Sequence, residues 1–139
     1  MKPGSVIFLE PKGTAFEVVR QAKLRGLHVV AFVSDPSILE SLPTPYNTAL
    51  SAIDEVVNIE SWEEKDKVLE AAREVSLKSN IKGIYFGLDA CALIGAELRK
   101  HFGLPTPEPE ALELILNKCT YLLFSISTQV IMRLVTLII

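Results

Sequence analysis

An open α/β fold, with a mostly parallel sheet of four to five strands and helices on both faces, is the architecture this sequence predicts. Three observations carry it. Four short apolar runs show no in-out alternation, as strands covered on both faces do. Stretches with helical spacing separate them, and Gly- or Pro-containing turns mark the joints. The order strand, helix, strand closes within about thirty residues, the length of a right-handed βαβ unit.

The first run is residues 5–9, SVIFL, broken by EPKGT at 10–14, where Thr14 can cap a helix. That helix places Phe16, Val19, Ala22 and Lys23 to Leu24 at helical spacing and ends on Gly26 as a C-terminal glycine. Residues 28–33, HVVAFV, form the second strand and close at Ser34-Asp35-Pro36. Pro43 and Pro45 bracket a loop in the stretch 36–54, with room for one short helix. A third, shorter strand follows at 55–59. Ser61 then caps a helix from Trp62 to about Lys78, with Val68, Leu69, Ala72, Val75 and Leu77 as its buried stripe. Residues 81–86 are the fourth strand. Asp89 can cap the next helix, which runs through His101 to Gly103, and residues 108–117 make one more, with Pro109 in its first turn.

The chain has 139 residues, 14 basic and 17 acidic side chains, and a formal net charge of -3. That length suffices for one core without disulfides or metal. The acidic balance argues against a nucleic-acid partner, which selects for a basic patch. Two cysteines, Cys91 and Cys119, make neither a disulfide framework nor a zinc spacing. The start, MKPG, runs straight into the first strand with no leader pattern, so a cytoplasmic setting is expected. From Cys119 to Ile139 the only charged side chain is Arg133. The expected division is therefore an α/β domain over 1–118 and an atypical apolar tail over 119–139. Residues 122–139 fall short of the roughly 20 apolar residues of a membrane span and carry Gln129 and Arg133. No membrane partner is expected. The tail should pack on its own domain or on a second copy, in a two-fold homodimer.

Ligands of open α/β sheets sit outside the carboxyl ends of the strands, where strand order reverses. That rule nominates Glu10, Lys12, Gly13 and Thr14 after the first strand, Asp35 after the second, and Gly87 and Asp89 after the fourth. Lys12-Gly13-Thr14 before a helix can hold an anion or can be a tight turn with a Thr cap; its spacing is not that of a P-loop. Asp35 stands where dinucleotide folds place a ribose-binding acid, and also where a turn before Pro36 needs an aspartate. Asp89 is equally a helix cap, and Gly87 permits close backbone approach. His28, His101 and Cys91 have no neighbours at triad or metal spacing, so no catalytic residue and no metal ligand is expected.

With these segments in order, the chain resembles the N-terminal, pre-ATP-grasp domain of ATP-grasp carboxylate–amine ligases, a Rossmann-like fold. The resemblance rests on the opening SVIFLEPKGTAFEVVRQAKLRGLHVVAFVSD, the strand IDEVVNI, and above all IKGIYFGLDACALIGAELRKHFGLPTPEPEALELILNK. Its Gly-Leu-Pro turn, Pro-x-Pro-Glu-Ala helix start and closing Asn-Lys carry the match. It implies that Lys118 contacts ATP and that residues 10–14 and 87–89 border the small-molecule substrate, an amino or carboxylic acid. ATP and Mg would serve the complete ligase. The second ATP lysine, the glycine-rich lid and the magnesium ligands belong to later domains of that family, so the chain alone is expected to be inactive. The aliphatic tail departs from the polar, basic continuation of the family. A stand-alone nucleotide- or metabolite-binding module and a dimerising interaction domain are the alternatives.

Overall fold

The computed structural model describes residues 2–43 and 46–106, which fall within one compact unit, Met1–Thr106. The helix expected at 108–117, Lys118 and the apolar tail lie outside the described residues. Four strands, β1 (Gly4–Leu9), β2 (His28–Val33), β3 (Glu55–Asn58) and β4 (Asn80–Phe86), form one sheet in the order β3-β2-β1-β4. All three pairings are parallel, as the unbroken apolar runs predict.

The two central strands are the most deeply covered: Ile7, Phe8, Leu9 and Val29 through Phe32 have no exposed surface. Their side chains alternate between two cores. Ile7, Leu9, Val30 and Phe32 meet Val68, Ala72 and Val75 of α3 (Lys65–Lys78) and Ile94 and Leu98 of α4 (Ala92–His101). On the opposite face Phe8 and Val29 meet Val19 and Ala22 of α1 (Ala15–Leu24). Phe16, Ala31 and Val33 there join Leu39 of the short α2 (Ser37–Glu40) and Ala49 of the 3-10 helix Tyr46–Ala52. The chain thus steps outward from β1 to β3 with its crossovers on one face. It returns through α3 on the other face to lay β4 beside β1. Strand order reverses between β1 and β4.

Helix ends show where local pattern was overruled. Gly26 does end α1 at φ 77°, a conformation a side chain would resist, with Leu27 N donating to Ala22 O at 3.2 Å. Thr14 precedes α1 with helical backbone angles, and its hydroxyl makes no cap. Helix α3 begins at Lys65 rather than Trp62, because the Ser61 hydroxyl accepts the Glu63 N–H (3.2 Å) and closes a turn instead. Leu24 and Leu77 are 78% and 73% exposed. Each lies two residues, about 200° of helical rotation, beyond a buried stripe position, Ala22 or Val75.

Candidate ligand-binding site

The helices that follow β1 and β4 leave toward opposite faces of the sheet, so the carboxyl ends of these neighbouring strands form the switch point at which open α/β sheets bind ligands. The structure brings two of the nominated loops together there, 10–14 and 87–89. The third, carrying Asp35, follows β2 one strand away.

Glu10 is the pivot of this edge. Only 5% of it is exposed, and its backbone sits at φ 46°, in the left-handed region that non-glycine residues enter rarely. Its N–H donates to Phe32 O (2.8 Å). Its Oε1 accepts the Ser34 N–H (2.5 Å) and the Trp62 indole N–H (3.1 Å). One carboxylate therefore ties the ends of β1 and β2 to the connection after β3. Trp62 is the residue that reading by sequence missed. It is the only tryptophan and follows the third strand, whose carboxyl end the same rule would have nominated.

Gly87 is tied to β1 as well: its N–H donates to Leu9 O (2.8 Å). A Cβ at this position would lie 2.1 Å from Glu10 O, 2.8 Å from Lys12 N and 3.0 Å from Pro11 Cα. The close backbone approach expected of this glycine is made by the chain's own β1–α1 loop.

The rest of that loop faces solvent. Lys12, Gly13 and Thr14 are exposed, and the carbonyls of Lys12, Gly13 and Thr14 accept the N–H groups of Ala15, Phe16 and Glu17 at 3.0–3.2 Å. On the adjacent loop Asp89 is exposed at the start of the 3-10 turn Asp89–Cys91. It caps neither that turn nor α4, and no described residue pairs with its carboxylate. Asp35 is engaged locally: its Oδ1 accepts the Ser37 hydroxyl (2.6 Å) and N–H (3.0 Å), which hold its carboxyl below the ordinary carboxylate range. Lys12, Thr14 and Asp89 are thus the exposed side chains of these two loops, and Glu10 and Gly87 lie beneath them.

Cys91 is fully buried beneath the loop. Burial and the Glu10 carboxylate push its thiol up to about 12, against the opposing influence of Lys12. His28 lies at the opposite, amino end of the sheet, 3.7 Å from both Asp54 Oδ2 and Glu55 Oε2. Among the described residues no three His, Cys, Asp or Glu side chains stand close enough to hold a metal ion. They supply no magnesium site, and the lysine that the resemblance assigns to ATP is outside them. A groove of about 250 Å³ between α3 and α4, lined in part by Lys65 and Glu97 (2.9 Å apart), contains none of these loop residues. No helix among the described residues is long and apolar enough to cross a membrane.

No family model matches the chain, and no curated protein matches it. Among solved structures it is similar to the L-amino acid ligase from Bacillus licheniformis, with a TM-score of 0.60 and 15% sequence identity. The match covers 82% of this chain and 27% of the ligase, so the chain spans about a quarter of that protein's length. At this identity the likeness is one of fold: the chain shares an α/β architecture with part of an L-amino acid ligase.

Proposed function

We propose that this chain is the substrate-side N-terminal domain of an ATP-dependent carboxylate–amine ligase. The observation that supports it most is the likeness of fold to the L-amino acid ligase. The parent reaction would phosphorylate a carboxylate with ATP and pass the acyl phosphate to an amine. In this reading the carboxyl ends of β1 and β4 border the small substrate. Lys12 and the Thr14 hydroxyl, on the rim, would meet its anionic or hydroxyl groups, and Asp89 opposite would accept from its donors. Glu10, Gly87 and Trp62 hold the two loops at fixed separation, which is what orientation of a substrate requires. ATP with magnesium supplies the phosphoryl group in a complete ligase, and Lys118 is the residue of this chain that would touch the nucleotide.

Two measurements on the purified chain test the reading. An ADP-release assay with MgATP and panels of amino and carboxylic acids should show no turnover, because about three-quarters of the ligase length has no counterpart here. A nucleotide titration should show at most weak binding. Saturable, micromolar ATP binding by the chain alone would overturn the proposal in favour of a stand-alone nucleotide-binding module.

A further inference from the structure

We propose that Glu10 is a recognition point for the ammonium group of a primary-amine ligand at the carboxyl edge of the sheet. The inference rests on the ligase reading, which requires an amine-bearing substrate. It starts from a carboxylate that has no counter-ion among the described residues. Glu10 is 95% buried, yet no lysine, arginine or histidine nitrogen among the described residues lies within 4.0 Å of its carboxylate. Carboxylates withdrawn from water are ordinarily paired, because an isolated buried charge is costly.

The two hydrogen bonds that Glu10 accepts do not explain that charge. Both fall on Oε1, from Ser34 N–H and Trp62 Nε1–H, and a neutral amide oxygen at the same place would accept both. Oε2 takes no hydrogen bond from a described residue. It is also not sealed in, since no buried side-chain oxygen among the described residues lacks a partner. One carboxylate oxygen is therefore left open at the ligand end of the sheet, on a backbone held at φ 46°. A single such oxygen suits an N–H donor carrying positive charge. It does not suit a calcium-like ion, which takes about six to eight oxygens, and no metal-holding cluster stands among the described residues.

The test is an NMR titration of the full chain, following the Ser34 amide and the Trp62 indole N–H. The probe is n-propylammonium chloride. Tetramethylammonium chloride, which has the same charge and no N–H, is the control. Saturable shifts of both resonances with propylammonium, and none with tetramethylammonium, are expected. In Glu10→Gln, which keeps the acceptor for Ser34 and Trp62, propylammonium affinity should fall about ten-fold or more, the loss of one charge-assisted hydrogen bond. Absence of saturable shifts, equal response to tetramethylammonium, or unchanged affinity in Glu10→Gln would overturn the proposal. The two-salt comparison on the unsubstituted chain decides the matter even if the variant does not fold. Tight nucleotide binding alongside a positive ammonium result would remove the ligase reading and leave the ammonium site standing.

Discussion

Substituting Gly87 by alanine forces a clash that the fold can relieve only by opening its own candidate site. The new Cβ would sit 2.1 Å from the Glu10 carbonyl oxygen, where an ordinary contact needs at least 3.4 Å, and the nearest atoms are all backbone. The β1–α1 loop must therefore retreat from β4. The Gly87 N–H to Leu9 O and Glu10 N–H to Phe32 O bonds, both 2.8 Å, would be stretched by that movement. Overpacking of this kind costs about 1–3 kcal/mol, and each weakened hydrogen bond about 1 kcal/mol. A loss of about 3 kcal/mol is expected, which lowers Tm by on the order of 10–20 °C for a domain of this size. Gly83→Ala is the matched control. Its Cβ would meet only Val6 Cγ1 and Cγ2, at 3.9 Å, so a strand alanine there should be neutral or stabilise by about 0.5 kcal/mol. Urea unfolding followed by circular dichroism measures both. If Gly87→Ala unfolds within about 1 kcal/mol of the unsubstituted chain, the packing of loop on strand argued here is wrong.

Other substitutions separate buried from exposed positions and charged from neutral ones. Leu98→Ala, at a site 1% exposed, should cost about 2–5 kcal/mol, while Leu77→Ala, at a site 73% exposed, should stay within about 0.5 kcal/mol in the same urea assay. Trp62→Phe removes a donor to a buried carboxylate and should cost about 1–2 kcal/mol, with the Ser34 amide resonance moving as Glu10 readjusts. Burial works to raise the Asp54 carboxyl, but the Lys23 ammonium (2.5 Å), the Val29 N–H (2.8 Å) and the His28 ring together hold it below its ordinary 3.8. A depressed folded-state value contributes stability above the unfolded-state value that is lost as pH falls through the folded one. The stability difference between the unsubstituted chain and Asp54→Asn should therefore be flat near neutrality and shrink below about pH 4. A difference that grows on acidification would contradict the ion-pair geometry.

The strands were legible because both faces of β1 and β2 are covered, so SVIFL and HVVAFV carry no polar interruption and admit one reading. The carboxyl-edge rule nominated the loops but not their neighbours. That β4 lies against β1, and that Gly87 is pressed by residues 10–12, depends on a return crossover that no local pattern records. Glu10 was nominated with its loop, but its burial was not legible, because its partners, Ser34 and Trp62, are 24 and 52 positions away. Ser61 and Thr14 have the right chemistry for caps, but Ser61 closes a turn and the Thr14 hydroxyl caps nothing. Apolar residues at the last turn of a helix, Leu24 and Leu77, continued a hydrophobic run in sequence and not the buried stripe in space.

The account's central claim is that a small substrate meets this domain between the ends of β1 and β4. Amide chemical-shift mapping of the full chain against a panel of amino and carboxylic acids tests it most directly. The account predicts that whichever compound binds produces its largest shifts in residues 10–14 and 87–91. Shifts concentrated instead at the amino edge around His28 and Asp54, or in the groove between α3 and α4, would contradict it.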